Sequence, residues 1–566
     1  HRMEENMKRN GNSQKNRNCN RKKNFLKACL ALAAAVGMAA ITACGNVSSS
    51  SGSSASAAGP DSSAPEGSRH LNVALFWVST TLDPADGYNG WVLSRIGAGE
   101  TLLRLDMNAS LEPCLADSWE QTDENTWVFH IREDVTFSNG KPVDAKACMD
   151  SIQRAFDLND RAEEYFRLDR MTAEGQTLTI RTKEPSGAVL NNLCEPLFTI
   201  VDVNPDVEAS GGDVSGNQED GNDVEREMLL DTAPGCTGPY IIRSFAPESK
   251  VELVKNEHYW DGEPGLDTIT INQVADSDSR VMAMQSGEAD LTTTIDNTSL
   301  ALFSDESRYT IYETIGPRTN VVYMNNKSGF LSDPAIRQAV SYGVDRRTYA
   351  ELIGGEPGVG LYSTALPCGR DITDTYAWNP EAAEQLLDGA GYADTDGDGI
   401  REKDGQNIVL QYYLSADHGS SDAAIIAQAI QSDVQKIGIG MELVQTENLS
   451  DIKSSHSFDL CSANDSTAPT ADPEVFLLLH YLTGASANYG EYSNGEVDQM
   501  IRQLQTVFGP QERQKLAHEI SQKILDDAAC LYISYIKGNT VTASRVKNAR
   551  QFPIDYYIIT KDITVE

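Results

Sequence analysis

Asp394-Thr395-Asp396-Gly397-Asp398-Gly399 is the clearest run of metal-capable side chains in the 566-residue sequence. Alternate carboxylates in such a loop can converge on one hard cation, and Gly399 permits the tight turn. The twelfth loop position, where a calcium loop carries a bidentate glutamate, is Gly405. An Asp/Gly hairpin turn before a strand at Ile408 is therefore the stronger reading. A structural calcium at Asp394, Asp396 and Asp398 is the alternative, and no other cofactor is expected. Catalytic spacings are missing: there is no Gly-x-Ser-x-Gly, no His-Glu-x-x-His, no phosphate loop ending in Gly-Lys-Ser/Thr and no Gly-x-Gly-x-x-Gly. The eight histidines are widely separated, and a lone one such as His130 or His258 reads as a structural residue before a metal ligand.

The cysteines divide by position. Lys8, Arg9, Lys15, Arg17, Arg21, Lys22, Lys23 and Lys27 precede an apolar run from Ala28 to Ala40, the order of a secretory signal, and the run is too short to span a bilayer well. It ends in Ile41-Thr42-Ala43-Cys44-Gly45, which resembles a bacterial lipobox whose cysteine is lipidated and becomes the first mature residue. An ordinary signal peptide with an incidental Cys44 is the competing reading. A multiply acylated Cys44 would tether the protein to a membrane without spanning it. Ser48 to Ser68 is Ser/Ala/Gly-rich and reads as a flexible leash. Cys19 and Cys29 leave with the signal. The seven cysteines from Cys114 to Cys530 show no Cys-x-x-Cys pair. Their odd number argues against a complete disulfide framework and for buried small apolar residues, with one or two bridges left open.

The elements that must position any site mix helices with strands throughout. Trp127 to Ile131 alternates like a strand, Asn139-Gly140-Lys141-Pro142 turns, and Asp144 to Phe156 has helical apolar spacing. Asp333-Pro334 opens a helix that Gly354-Gly355 stops, and Asn379-Pro380 repeats the device up to Gly391. Ala423 to Ile437 and Gln511 to Leu525 are amphipathic, while Thr268 to Val274, Asn320 to Met324, Ile408 to Tyr412 and Leu531 to Ile536 are β-branched runs. Asp202 to Asp231, with ten acidic residues and one basic, reads as a poorly ordered loop. The pattern is α/β or α+β. Hydrophobic residues make up 40% of the chain and charged residues 23%, enough for globular cores, and the net charge is -37. A field of that sign argues against nucleic acid as a partner.

Several segments together resemble the extracellular solute-binding proteins of family 5, receptors of ABC importers for peptides, nickel complexes and related solutes. They include Thr81-Leu82-Asp83-Pro84, Leu115-Ala116-Asp117-Ser118-Trp119, Thr126 to Arg132, Phe137-Ser138-Asn139-Gly140, Thr237-Gly238-Pro239-Tyr240, Asn256 to Trp260, Ser286 to Asp290, Asp333 to Ala339 and Asp472-Pro473, in family order from Leu71 to about Ile559. The resemblance implies an α/β, two-lobed periplasmic-binding-protein-like fold of type II with an extra subdomain on the first lobe. Its expected parts are a lipoprotein signal peptide at 1–44, a linker at 45–70, the first lobe at 71–272, the second lobe at 273–530 and a return to the first lobe at 531–566. The chain crossings are expected near Ile271 to Val274 and Leu531 to Tyr535. Two crossings make a hinge that solute can close.

The resemblance also implies a monomeric receptor on the outer face of the bacterial cytoplasmic membrane, working with an ABC permease and its ATPase subunits and altering no bond. The family's peptide receptors carry an acidic residue three positions before the Asp-Pro pair, where this chain has Pro469; its nickel receptors have a tyrosine where this chain has Ala471, and Leu193 to Asp202 contains no Arg. Peptides or peptide-like solutes stand slightly ahead of a nickel or metallophore chelate, and a secreted hydrolase is a remote third. By similarity, Ser79 to Thr81, Pro317 to Asn320 and Ser462 to Asp472 should reach the cleft. The expected ligand residues are Thr80, Tyr88, Trp91, Arg318, Asn320 and Asp465. Arg318 is the preferred carboxylate clamp, with a surface or interlobe salt bridge equally open. Asp465 is the candidate partner of a cation or amine, and Tyr88 and Trp91 are candidates for stacking or for the core.

Overall fold

The structure, a computed structural model, describes residues 69–205, 218–415 and 421–566. The expected signal, Cys44 and the leash from Ser48 to Ser68 lie outside the described residues, as does part of the acidic insert. Among the described residues no helix is long and apolar enough to cross a membrane.

One eleven-stranded sheet organises the body. Its strands in chain order are β1 His70–Leu75, β2 Tyr240–Ala246, β3 Lys250–Lys255, β4 Thr268–Gln273, β5 Leu291–Thr293, β6 Tyr309–Met324, β7 Glu356–Pro357, β8 Val409–Ser415, β9 Gly440–Thr446, β10 Leu460–Ser466 and β11 Cys530–Ala543. Across the sheet they run β9-β8-β10-β6-β11-β5-β1-β4-β3-β2, with β7 on β11. β1 is parallel to β4 and β5, and β8 is parallel to β9 and β10, so each half has a parallel centre of the kind that helices cover on both faces. The first lobe gathers Leu71, Val73, Ile269 and Ile271 into one core; the second gathers Ile336, Val340, Leu410 and Ile430 into another.

Two strands are long enough to belong to both halves. Tyr309 to Ile315 of β6 pair with Ala543 to Lys537 of β11; after a break in register, Thr319 to Tyr323 pair with Tyr535 to Cys530. The break is written in the sequence as Gly316-Pro317, since proline cannot donate to a ladder and is tolerated in a strand at a bulge. Ile271 to Gln273 pair β4 with β1, and β5, which follows, adds to the same half by pairing with β1 and β11. The expected segment Leu531 to Tyr535 lies within β11.

A four-stranded antiparallel sheet formed by Ala116–Asp123, Thr126–Ile131, Thr177–Thr182 and Leu168–Glu174 makes the extra subdomain. Helix Ala145–Leu158 is capped by Asp144, which accepts from Ala147 N at 2.8 Å, and buries Cys148 and Ile152 against that sheet. The same core continues into Ile501, Ile520 and Ile524 of the second lobe. The helix opened by Asp333 ends at Gly343; Asp345 caps a separate helix, Arg346–Ile353, which Gly354 terminates at φ 72°. The acidic insert also departs from expectation. Gln218–Thr232 is a helix, held where Leu230 is buried and Asp231 O accepts from Leu82 N at 2.7 Å. All seven cysteines from Cys114 to Cys530 are free and buried.

Candidate ligand-binding cleft

The register break in β6 determines where one guanidinium goes. Gly316 O accepts from Ser363 Oγ at 2.7 Å, and Pro317 O accepts from Thr467 N at 2.9 Å and Thr467 Oγ1 at 3.0 Å, so the bulged backbone is held from both sides. Bulges commonly re-aim a side chain at a site. Here the re-aimed side chain is Arg318, which makes no hydrogen bond or ion pair among the described residues and lines a cavity of about 640 Å³. That volume is in the range of small-molecule sites. Asn320, two residues on, lines the same cavity and donates from Nδ2 to Ser534 Oγ at 2.9 Å.

Residues of both lobes close the cavity. From the first lobe, Arg95 donates from Nη2 to Asp555 Oδ2 at 2.7 Å and from Nε to Asp555 O at 3.0 Å, with its guanidinium 5.4 Å from the Phe76 ring and 5.1 Å from the Trp91 ring. Desolvation in this recess works to lift the Asp555 carboxyl, but Arg95, and after it Arg318, more than offset that and hold it below the ordinary carboxylate range. From the second lobe come Lys453, Ser462, Asn464 and Tyr412, and from the crossing strand Lys537. Thr293 Oγ1, Asn297 Oδ1 and the Tyr412 hydroxyl belong to residues of this wall and are buried with no hydrogen-bond partner among the described residues. Buried polar atoms are rarely left so, because each costs about 1–3 kcal/mol. The wall thus offers cations with no hydrogen bond or ion pair among the described residues, the equipment for holding a small anionic solute.

Of the six nominated ligand residues, Arg318 and Asn320 line this cavity. Asp465 lies outside it, where its Oδ2 accepts from the Tyr323 hydroxyl at 2.5 Å; Tyr323 in turn meets His480 Nδ1 at 2.9 Å. Trp91 donates from Nε1 to the buried Glu195 at 2.8 Å, a carboxylate that also takes Arg161 Nη2 at 3.1 Å and the Tyr556 hydroxyl. Tyr88 stacks 3.6 Å from Arg161 and is half-exposed, and Thr80 is exposed. These aromatics sit beside the cavity wall, joined to it through Arg95. Arg95, Lys453, Lys537 and Asp555 carry no motif. The only signal for Arg95 is a charge inside the apolar run Trp91 to Ile96, and pairing with Asp555 spans 460 positions.

Asp394, Asp396 and Asp398 are exposed, with ligand oxygens within 4.8 Å of one another. Their carboxylates also serve the loop itself. Asp394 accepts from Gly397 N at 2.7 Å and Gly399 N at 3.0 Å, Asp396 from Asp398 N at 3.1 Å, and Asp398 from Ile400 N at 2.8 Å. That is the bonding of an Asp/Gly turn.

The sequence profile of the bacterial extracellular solute-binding proteins, family 5, matches residues 110–488. The chain belongs to this family. It is 24% identical over 502 residues to the nickel-binding protein NikA of Staphylococcus aureus, covering 88% of this chain and 94% of that one. It is 25% identical over 490 residues to di/tripeptide-binding protein 2 of Pseudomonas aeruginosa, covering 78% and 87%. Among solved structures, the nickel ABC transporter protein of Bacillus halodurans superimposes with a TM-score of 0.74 at 28% identity, covering 88% of this chain and 100% of that one. The family 5 chain thus has the two-lobed fold that its resemblance implied.

Proposed function

We propose that this protein is the solute-capturing receptor of an ABC importer, anchored by lipid on Cys44 at the outer face of the cytoplasmic membrane. It binds peptides or peptide-like solutes between its lobes as a monomer and passes them unaltered to a permease driven by ATPase subunits. The observation that carries the reading is Arg318, held in a bulge where β6 passes between the lobes and lining, with no hydrogen bond or ion pair among the described residues, a 640 Å³ cavity. A guanidinium so placed binds a carboxylate through two parallel hydrogen bonds, and Asn320 adds an amide. The hinge is assigned to Ile315 to Thr319 and to Tyr535 to Lys537, where the paired strands lose register. Contacts made only when both lobes meet the solute favour the closed form.

A nickel chelate is the second reading, favoured by the nickel-binding relatives. A chelate with carboxylate ligands would use Arg318 in the same way. Calorimetry with short peptides against nickel plus histidine separates the two, and heat from the chelate alone rejects the peptide reading. A hydrolase, the remote reading, requires product: recovery of the added peptide intact after prolonged incubation excludes it.

A further inference from the structure

The geometry points to a solute with two separated anionic groups, one held at the hinge by Arg318 with Lys537 and the other by Lys453. This deepens the receptor reading and rests on it. Arg318, Lys453 and Lys537 all line the cavity, and none makes a hydrogen bond or ion pair among the described residues; Lys453 only faces the Tyr489 ring at 5.4 Å. In a chain with 83 acidic and 46 basic residues, a cation finds carboxylate partners readily. Arg95, Arg346 and Arg513, for example, hold Asp555, Asp374 and Asp472. Three unpaired cations in one wall are therefore charge left available to a ligand.

The acidic residues of the wall do not cancel them. Asp555 is bonded to Arg95 and feels Arg318 only beyond ion-pair distance, and Asp296 acts on the buried Arg280. Asp422 lies in the first turn of helix Ser421–Lys436, where the helix dipole favours a negative charge.

The cations fall into two places. Arg318 pairs in register with Ser466 of β10, and Lys537 stands opposite Ile315, at the same break. Lys453 lies on helix Leu449–Ser454 with Nζ 5.4 Å from the Tyr489 ring, which meets the Tyr323 ring at 5.5 Å, and Tyr323 pairs in register with Cys461. Cys461 is five residues from Ser466 along β10, about 16 Å at ~3.3 Å per residue. Cations anchored this far apart along the strands suit an elongated small solute with a charge at each end.

Three probes of equal chain length test this by calorimetry on the full chain: succinyl-Ala-Ala-Ala with two carboxylates, butyryl-Ala-Ala-Ala with one, and butyryl-Ala-Ala-Ala-amide with none. Ala-Ala-Ala and nickel with excess histidine are the references. The two-carboxylate probe is expected to bind about tenfold tighter than the one-carboxylate probe, the gain of one well-placed charge pair. Lys453→Gln should weaken the two-carboxylate probe about tenfold more than the one-carboxylate probe and so remove that advantage, Lys453→Arg should retain it, and Arg318→Gln should weaken both. Equal affinity for the two acids, or an equal loss of both in Lys453→Gln, overturns the inference while a binding reference keeps the receptor reading. Silence from every probe and both references overturns the receptor reading itself.

Discussion

Ser186 donates its hydroxyl to Glu474 Oε1 at 3.0 Å, joining the extra subdomain to the first turn of helix Glu474–His480 in the second lobe. Beside it, Asn191 Nδ2 donates to Thr470 O at 2.8 Å and Thr470 Oγ1 to Asn192 Oδ1 at 3.0 Å. Gly187 donates its N–H to Gln505 O at 3.0 Å and lies so near Arg513 that a Cβ would overlap Nη1 and the Val507 carbonyl oxygen. Gly187→Ala is expected to keep the lobes apart, lowering solute affinity by about 1–3 kcal/mol and enlarging the radius of gyration of the loaded protein in scattering. Unchanged affinity and radius would show that these surfaces do not meet in the loaded state.

The group under that contact is a buried ion network. Arg513 donates from Nε to Asp472 Oδ2 at 2.8 Å and from Nη2 to Asp472 Oδ1 at 2.6 Å and Glu474 Oε2 at 2.8 Å. Removing one partner of such a network strands the others in a desolvated site, so Arg513→Ala should cost about 3–5 kcal/mol in urea unfolding. Adding Asp472→Asn and Glu474→Gln to Arg513→Ala should recover part of that loss.

Two arginines in one cavity wall should behave oppositely. Arg318 makes no hydrogen bond or ion pair among the described residues and acts on Asp555 only beyond ion-pair distance, so Arg318→Gln is expected to leave stability within about 0.5 kcal/mol while cutting affinity for carboxylate solutes about a hundredfold. Arg95→Gln should lower stability as well, because the Arg95 guanidinium is buried and bonds both the Asp555 carboxylate and its carbonyl oxygen. Thermal unfolding and calorimetry on the same preparations make the comparison; a fall in stability for Arg318→Gln would mean that it serves the fold.

Burial holds the His480 imidazole down at about 4; Asp465 pulls it upward and Lys453 adds to the depression. The unfolded imidazole titrates near 6.5, so between these values the unfolded chain binds the additional proton and stability falls as pH falls. The contribution lost between pH 7 and pH 4 is about 2–3 kcal/mol. Urea unfolding across that range should show a shallower acid slope in His480→Asn, and an unaltered slope would assign the loss to other groups.

The seven buried thiols provide a simpler check. Burial raises the Cys148, Cys194 and Cys236 thiols well above their ordinary range, which suppresses the reactive thiolate. A thiol reagent should label none of the seven in the native protein and all seven after denaturation; any lost to a disulfide would leave fewer.

Legibility in the sequence followed the range of the interaction. Asp144, Asp333 and Asn379 cap helices through bonds two or three residues away, and each was readable locally. Gly316-Pro317 hid the first half of β6, because a glycine and a proline look like an end of strand when the partner that bridges them is more than 200 residues distant. Arg318 and Asn320 were reachable through family resemblance. Lys453 and Lys537 were not, since a solvated surface lysine and a lysine reserved for a ligand have the same local sequence. The aromatics at 88 and 91 read as stacking surfaces, but which group takes them depends on Arg161 and Glu195, about 70 to 100 positions away.

β11 begins at Cys530 and is the last long strand of the chain, yet it lies in the middle of the sheet and serves both lobes. Neither half can complete its hydrogen bonding until that strand has arrived. A domain made of contiguous chain can fold as it emerges, from its amino end. This protein must instead keep more than 450 residues, from His70 onward, waiting for a central piece, so truncation shortly before Cys530 should ruin both lobes and not only the second.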